Sequence, residues 1–348
     1  GMATNMPPHN LREISDAIIR LIDEPDLSLD QLTDIVNGPD FPTRGIIGAD
    51  GVREAYSSGR GRIIVRGRVS QEEDDDGRSR LVITELPYQV NKASLVEKIA
   101  DLVRSKTIEG INNLRDESDR DGMRIVIELK RDAFALQIQN QLFKHTSIQT
   151  TFGVNMVCLV DGKPETLGLR DILQEFIRHR KDVVTKRATF DLERARDREL
   201  VLLGFLIALD NIDEVVDLIR AADTTDEARD QLMDRFQLSD VQANAVLDMQ
   251  LRRLVALESQ KLRDELLEIQ ARIAELTELL SDVSLVYAVI KEETLEIRER
   301  FGDNRRTTVV SELSGDLKLE DLVAEEDCVV TITKRGYTKR QSLSVFRT

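Results

Sequence analysis

The sequence contains no tryptophan, only 4% aromatic residues and only two cysteines among 348 residues. A low aromatic content is expected of a chain with long, exposed helices. Cys158 and Cys328 lie far apart and lack the spacing of a metal site, so we expect two inert thiols in a reduced, intracellular protein. No apolar run approaches about 18 residues and no signal peptide is recognised, which predicts a soluble protein without a membrane span.

Negative charge exceeds positive charge overall, because 64 Asp and Glu residues stand against 49 Lys and Arg residues; the formal net charge is −15 and the sequence pI is about 4.9. This total excludes a protein whose whole surface binds nucleic acid. Two local clusters are basic despite the acidic total. Residues 176–187 hold five cations, for which phosphate contact and a solvated face paired with acids are equally good interpretations. Between residues 44 and 68 six arginines accompany only two acids, and here we favour phosphate contact: Arg44, Arg53, Arg60, Arg62, Arg66 and Arg68.

Complete catalytic sets are not apparent. His9, His145 and His179 share no local spacing, and each is better interpreted as a surface or hydrogen-bonded residue than as a metal ligand. Residues 116–122 hold four carboxylates but lack the late bidentate glutamate of a Ca²⁺ loop, so a charged turn is the better interpretation. The glycines at residues 59–61 lead into a strand and not a helix, which excludes a nucleotide fingerprint.

Two long helical stretches dominate the second half. From Leu262 apolar residues recur in steps of four and three to Val283, the spacing of a seam facing a partner helix, and the phase continues to Ile297. A looser seam runs from about residue 169 to residue 220 and includes Phe176 and Phe190. About 35 residues separate the two. The simplest prediction is an antiparallel coiled-coil arm, roughly 60 Å long, with a small helical head.

Short strands and helices alternate between residues 45 and 161, which predicts an α+β domain of about 120 residues. An acidic turn at residues 72–77 joins two strands into a hairpin. The predicted strands are residues 62–69, 80–86, 122–129, 155–160 and, near the end of the chain, 329–333. The predicted helices are residues 10–22, 28–36, 91–104 and 133–143.

Several of these segments together resemble the A subunit of bacterial type IIA topoisomerases, over nearly all 348 residues. The motifs occur in the family's order, and details favour the gyrase branch, with topoisomerase IV as the alternative. They are residues 1–10 (GMATNMPPHN), 38–43 (GPDFPT), 59–61 (GRG), 87–92 (PYQVNK), 115–118 (RDES), 247–254 (LDMQLRRL), 301–307 (FGDNRRT), 326–331 (EDCVVT) and 336–337 (GY).

The resemblance implies an α+β fold: a mixed tower domain, then a long antiparallel coiled coil with a small helical dimerisation head. It assigns six segments in chain order. These are residues 1–43, a helical lead into the tower; 44–168, the tower; 169–224, the first arm; 225–257, the head, or exit gate; 258–302, the second arm; and 303–348, a return segment with the first strand toward a C-terminal β-pinwheel.

The resemblance also implies ATP-dependent passage of one DNA duplex through a double-strand break in another. The family's tyrosine nucleophile lies on a winged helix before residue 1, so we expect a fragment with no catalytic residue and no cleavage activity of its own. Mg²⁺ and ATP are expected on the partner B subunit, and no cofactor in this chain. Expected partners are a second copy through the exit gate, the B subunit in an A₂B₂ assembly, and double-stranded DNA of the bacterial nucleoid; no membrane is expected.

Site predictions follow from these two lines of reasoning. Met6 stands where the family usually has an isoleucine that wedges between base pairs, a role that methionine suits because it is apolar and flexible. The predicted DNA-binding residues are Met6, Arg44, Arg60, Arg62, Arg66 and Lys92. The predicted gate residues are Leu247, Met249, Leu251 and Leu254, which support or form a two-fold contact.

Two other functions remain open at this stage. One is a structural coiled-coil scaffold, an arm with an α+β base and no link to DNA, which differs in predicting no salt-dependent DNA affinity. For the predicted gate residues, the alternative to a two-fold contact is that they form only the core of the head. A hydrolase acting alone is disfavoured because no catalytic set is complete.

Overall fold

A computed structural model describes residues 1–73, 79–131, 133–249, 256–311, 313 and 328–342 of the chain. The fold is α+β. Its contacts divide the chain into a first unit, Gly1–Glu175 with Ile297–Thr348, and a second unit, Phe176–Glu296. None of the described helices has an apolar stretch long enough to cross a bilayer.

The described helices and strands follow in chain order. The helices are α1 (Leu11–Asp23), α2 (Leu29–Ile35), α3 (Ala49–Ser58), α4 (Lys92–Arg104), α5 (Ala135–His145), α6 (Leu169–Asp210), α7 (Ile212–Ala221), α8 (Thr225–Phe236), α9 (Asp240–Leu247), α10 (Ala256–Ser281) and α11 (Val283–Phe301). The strands are β1 (Ile46–Gly48), β2 (Arg60–Arg66), β3 (Arg68–Glu73), β4 (Ser79–Glu85), β5 (Ile111–Asp116), β6 (Ile125–Leu129), β7 (Gln149–Asn155), β8 (Val157–Val160), β9 (Lys163–Thr166), β10 (Thr308–Val310), β11 (Cys328–Ile332) and β12 (Thr338–Ser342).

The first sheet of the first unit has the strand order β10-β1-β2-β7. β1 pairs in parallel with β10 and antiparallel with β2, and β7 pairs with β2 along its whole length. Helix α3 packs closely on one face of β2: a Cβ on Gly61 would lie 2.9 Å from the Cβ of Ala55. Because side chains alternate across a strand, the face that carries Gly61, Ile63 and Val65 is covered, and the other face carries arginines.

The second sheet has the order β3-β4-β6-β5 and packs against helices α4 and α5. The described hairpin strands β3 and β4 confirm the predicted hairpin, while residues 74–78 of its turn lie outside the described part. The core between the sheet and the helices contains aliphatic residues and Phe143, and it covers the apolar faces of α4 and α5. Its largest fully buried members include Leu81, Ile83, Leu95, Ile99, Ile108, Ile125 and Ile127.

The strand predicted at residues 62–69 is wrong as a single element. The chain leaves the first sheet at Arg66 and enters the second at Arg68, so the segment belongs to β2 and β3. Gly67 makes this transfer possible, because its amide donates to the carbonyl of Ile148 and a Cβ there would lie only 2.4 Å from the Glu85 carbonyl oxygen. A continuous β-branched run gives no signal of such a change of sheet.

In the second unit, α6 runs antiparallel to α10 and then α11. Polar contacts define the direction, since Asp210 at the end of α6 pairs with Arg263, whereas Arg180 near its start pairs with Glu293. Apolar contacts accompany them, with Leu192 packed in one cluster with Leu276. Within this unit, the two long helical stretches therefore run in opposite directions.

Neither long stretch is a single helix, which corrects two predicted spans. The first breaks at Asn211 between α6 and α7, and the second breaks at Asp282 between α10 and α11. The Asp282 carboxylate accepts from the amide and hydroxyl of Ser284, at 2.8 and 2.6 Å, and so begins a new helix. The seam prediction fails beside this break, where Val283 is 48% exposed, and also at Phe176 and Phe190, whose side chains are 42% and 56% exposed.

Helices α7, α8 and α9 form a small helical head on the α6–α10 pair. Its core includes Leu202, Leu206, Leu232 and Val246. α9 packs closely on α6 at Gly204, where a Cβ would lie 2.9 Å from the Cβ of Gln242. The buried Gln242 amide donates to the Leu200 carbonyl at 2.9 Å, which fixes α9 against α6.

Candidate nucleic-acid interface

One face of β2 carries three of the predicted DNA-binding arginines. The alternation of the strand places Arg60, Arg62 and Arg66 together on the face opposite α3, with Ile64 between them. The register with β7 sets Asn155, Gly153, Thr151 and Gln149 beside these four positions. The result is a basic row next to a polar row, without a carboxylate at any of the eight paired positions.

The amino-terminal segment extends this face by one more strand position. Asn5 pairs with Asn155 through two backbone hydrogen bonds of 2.8 and 3.1 Å. Asn155 also pairs with Arg60, so Asn5 and Arg60 lie two strand spacings apart, about 10 Å. Met6, the neighbouring residue, is 43% exposed at this end of the sheet. The structure therefore brings Met6 to the end of the sheet at which Arg60 lies.

The arginines of this region differ in what their side chains contact. Those of Arg60 and Arg62 are exposed and have no hydrogen-bonding or ionic partner among the described residues. Arg66 instead donates to the Gln149 side chain at 2.6 Å and lies 4.4 Å from the Phe143 ring centroid. Burial lowers the pKa of Arg66. Arg60 and Arg62 are thus available to an external anion, while Arg66 has a structural role as well.

Two of the three remaining arginines of the sequence cluster are paired with acids. Arg53, on α3, contacts Asp30 at 2.5 Å, and Arg68 contacts Glu85 at 3.3 Å. Arg53 also lies on the helix that covers the opposite face of β2. The cluster that the sequence presents as one patch is therefore divided between two faces of the sheet.

Arg44 and Lys92 lie together at a different place in the first unit. Both line a groove of about 600 Å³ formed by residues 42–44, the end of β4 and residues 121–123. The Arg44 side chain is exposed and has no partner among the described residues. The Lys92 ammonium contacts the Asp116 carboxylate at 2.7 Å.

Three of the five cations of the second basic cluster, residues 176–187, are paired with acids within their own unit. Arg180 and Arg187 both contact Glu293 at 2.5 Å, and Lys186 contacts Asp182. This favours the solvated, paired interpretation, which the sequence left equal with phosphate contact. It is not part of the candidate interface.

A buried polar network anchors the segment that carries Met6, and sequence reasoning missed it. The His9 ring bonds the Tyr56 hydroxyl at 2.8 Å, and the Asp40 amide donates to the Pro8 carbonyl at 2.9 Å. Asn10 caps α1 and donates from its side chain to Asp40 at 3.0 Å. Met6 is therefore held between two fixed points, the Asn5–Asn155 bridge and this network.

The return segment after α11 closes the same network. Burial opposes ionisation of Asp40, yet hydrogen bonds from Asn10 and from the amides of Thr307 and Arg306 lower its pKa. Arg305 makes two bonds of 2.6 and 2.5 Å to Glu13 and also donates to the carbonyls of residues 38 and 39. Three of the motifs quoted above, residues 1–10, 38–43 and 301–307, thus meet in space. The occurrence of all three motifs in one sequence was the only signal from which their contact could have been predicted.

His9 should make the stability of the chain depend on pH. Burial lowers its pKa from 6.5 to about 4. As the pH falls, His9 of the unfolded chain binds a proton before His9 of the folded chain does. The free energy of unfolding is therefore highest above pH 6.5 and falls as the pH drops toward 4. The expected loss is about 3 kcal/mol. Urea unfolding of the wild type and of His9→Gln across this range measures it. If the wild type and His9→Gln lose the same stability between pH 6.5 and pH 4, the assignment to His9 is wrong. The matched control is His145→Gln, because the His145 side chain is exposed; this variant should lose stability as the wild type does.

The predicted gate residues fall partly outside the described chain. Leu251 and Leu254 lie outside the described residues, so their role in a two-fold gate contact stays a prediction. Leu247 and Met249 are half-buried against the core of the head. Val241 of α9 and Leu203 of α6, which the sequence did not single out, are exposed apolar residues of the same unit.

The remaining candidates do not assemble into a metal site. Among the described residues no group of three or more His, Cys, Asp or Glu side chains is arranged to hold a metal ion. His145 and His179 are exposed. In the loop after β5, Asp116 accepts hydrogen bonds from Ser118, and Asp119 accepts one from the Asp121 amide at 2.9 Å, as in a charged turn.

Comparison with known proteins gives consistent matches along the chain. The family model that describes the A subunit of DNA gyrase and topoisomerase IV matches residues 1–295. The DNA gyrase A subunit of Clostridium acetobutylicum is 52% identical over 98% of this chain and 41% of its own length. The DNA gyrase A subunits of Dehalogenimonas lykanthroporepellens and Staphylococcus epidermidis are each 47% identical over the whole chain and are covered over 43% and 39% of their own lengths. The chain thus spans about two fifths of these relatives.

Proposed function

Since the chain belongs to the family of DNA gyrase and topoisomerase IV A subunits, we propose that it serves as the DNA-binding and gate-forming region of a gyrase A subunit. In this role it takes part in ATP-dependent passage of one DNA duplex through another. The similarity to proteins named as the A subunit of DNA gyrase supports the gyrase assignment. The A subunit of topoisomerase IV stays the alternative, because the matching family model covers both enzymes.

The observation that carries the DNA-binding part is the exposed face of β2. Arg60 and Arg62 present guanidinium groups that no described acid neutralises, in a chain whose net charge is −15. Beside them the exposed side chain of Thr151 offers a further hydrogen bond. A double helix presents phosphates in regular rows, which such a strand face fits without reading the base sequence. Met6, at the end of this face, would wedge between base pairs.

The second unit supplies the gate in this proposal. We assign α6 to the first coiled-coil arm, α10 with α11 to the second, and the α7–α9 head to a dimer contact; the first unit includes the tower. A duplex that passes through the break must leave between two copies of the chain, which have to stay joined while the other duplex is cut. A contact at the end of long helices meets both needs. Leu247, Met249, Leu251 and Leu254 would support or form it, and exposed Val241 extends it.

Cleavage and nucleotide chemistry are assigned to other parts of the enzyme. No residue of this chain is proposed as catalytic. ATP and Mg²⁺ are assigned to the B subunit, two copies of which join two A subunits in an A₂B₂ complex. The expected location is the bacterial cytoplasm, on the DNA of the nucleoid.

One sedimentation-velocity experiment tests both parts of the proposal. The 348-residue chain, at a concentration on the order of tens of micromolar, is run with and without a labelled duplex of about 30 base pairs. We expect a dimer that carries the duplex at about 50 mM salt and releases it at about 500 mM. A strict monomer would contradict the gate assignment. A duplex that sediments alone at low salt would contradict the DNA assignment and favour a scaffold.

A further inference from the structure

The groove that Arg44 and Lys92 line has a cation at an unfavourable position, the N-terminus of α4. Lys92 is the first residue of α4, and the first turn of that helix has no acidic residue. A cation at a helix N-terminus opposes the helix dipole, which favours negative charge there. The position of Lys92 therefore costs the helix some stability, and an anion bound in front of it would reverse the sign of that effect.

An internal carboxylate already occupies this position. The Asp116 carboxylate contacts the Lys92 ammonium at 2.7 Å. Its other oxygen accepts from the amide and hydroxyl of Ser118, at 3.1 and 2.5 Å. The bond from Lys92 is the main cause that lowers the pKa of Asp116 to about 2. Asp116 is thus a fixed anion, whereas Lys92 reaches it through a flexible side chain.

The pair is exposed enough to open. The side chains of Lys92 and Asp116 are 37% and 39% exposed, respectively. Exposed ion pairs contribute little to stability, so exchanging one anion for another costs little. A phosphate is a comparable acceptor for an ammonium group, and Lys binds it as a point charge.

Arg44 provides a second cation on the same groove. Its backbone adopts a left-handed conformation with φ 65°. The Arg44 amide donates to the Phe41 carbonyl at 2.9 Å, and the Thr307 hydroxyl bonds the Arg44 carbonyl at 3.4 Å. The turn is therefore fixed, and it presents a guanidinium without a described partner at the groove that Lys92 also lines.

We propose that this groove binds a phosphodiester of the DNA backbone, and that Asp116 holds the place of that phosphate on Lys92 until DNA arrives. The inference rests on the proposed DNA-binding function and adds a site and a competing residue to it. When DNA binds, Lys92 transfers from Asp116 to the phosphate, and Arg44 contacts the same backbone. Asp116 thereby weakens binding, and it does so more for phosphates in this groove than elsewhere on the chain.

The test measures the affinity of a labelled duplex by fluorescence anisotropy for the full chain and four variants. Asp116→Asn keeps the shape and the Ser118 bonds but removes the charge, and Lys92→Ala removes the cation. The third variant combines both. The matched control is Asp101→Asn, which removes a carboxylate paired with Arg104 at 3.0 Å on α4, outside the residues that line the groove. Circular dichroism melting verifies that each variant folds.

We expect Asp116→Asn to bind about three- to tenfold more tightly at about 100 mM salt, and Asp101→Asn to change affinity less than about twofold. The double variant should bind as Lys92→Ala does, because the gain depends on Lys92. A gain no larger than that of Asp101→Asn, or one that persists without Lys92, overturns the inference. If Arg60 and Arg62 still matter in that case, only the groove is wrong; if the wild type shows no salt-dependent binding, the proposed function fails as well.

Discussion

Replacing Arg60 and Arg62 together with alanine is expected to weaken binding of duplex DNA by about 10- to 100-fold at about 100 mM salt. Both side chains are exposed on one face of β2, and neither has a described partner that would hold it back from DNA. Each phosphate contact also releases counterions, so the slope of log affinity against log salt should become shallower by about two. Anisotropy titrations at several salt concentrations measure both quantities.

A matched pair of arginines controls for the loss of charge alone. Arg53 and Arg104 are exposed and paired with Asp30 and Asp101, and Arg53 lies on the helix behind β2. Replacing both with alanine removes the same formal charge, and it should change the salt slope by less than about one. Equal losses in the two double variants would show that general charge, and not the β2 face, holds DNA.

The second large effect concerns the buried network at the start of the chain. Arg305→Ala should lower the free energy of unfolding by about 3 kcal/mol, because it leaves the Glu13 carboxylate without its counterion. Both side chains are mostly covered, with Arg305 20% and Glu13 17% exposed. Two backbone carbonyls, of Gly38 and Pro39, lose their donor as well. Urea unfolding monitored by circular dichroism gives the difference.

The adjacent arginine makes the comparison specific. The Arg306 side chain pairs with Asp303, and both groups are half-exposed. Its contribution to the network is a backbone amide, which alanine retains. Arg306→Ala should therefore cost less than about 0.5 kcal/mol. Similar costs for the two substitutions would mean that the Arg305–Glu13 pair does not stabilise the unit.

Local signals in the sequence predicted the capped helices well. Asn10, Ser28 and Asn91 precede apolar periodic segments, and each caps the helix that follows. Capping and periodicity depend on neighbours within one or two turns, so one sequence contains them. The expectation that the long helices run antiparallel came from two apolar seams separated by about 35 residues.

Elements that depend on distant partners were missed. Helix α3 was not predicted, since Gly51, Ser57 and Ser58 weaken its helical signal; its packing on β2 explains why glycine is needed there, as a Cβ on Gly51 would lie 2.1 Å from the Arg62 carbonyl oxygen. Strand β5 was also missed, because its asparagines are uncommon in strands and pairing with β6 supports them.

The sequence predicted which arginines the candidate site contains, but not which other residues their side chains contact. Arginines of β2 stand at alternate positions, which is a local pattern, and their shared face follows from it. The Arg60 side chain has no partner among the described residues, whereas that of Arg66 is engaged. This difference depends on Phe143 and Gln149, which lie on other elements. The His9–Tyr56 and Arg305–Glu13 contacts join residues far apart in the chain, so no local pattern announces them.

Cross-linking from defined positions tests most directly whether DNA lies on the β2–β7 face. Thr151 is exposed on that face beside Ile64, and Glu54 is exposed on α3, which covers the other face. Each is replaced by cysteine in a chain with Cys158→Ser and Cys328→Ser, and a photoactivatable cross-linker is attached. The account predicts a covalent adduct with labelled duplex from Thr151→Cys and little or none from Glu54→Cys. An adduct that forms equally from both, or mainly from Glu54→Cys, would contradict it.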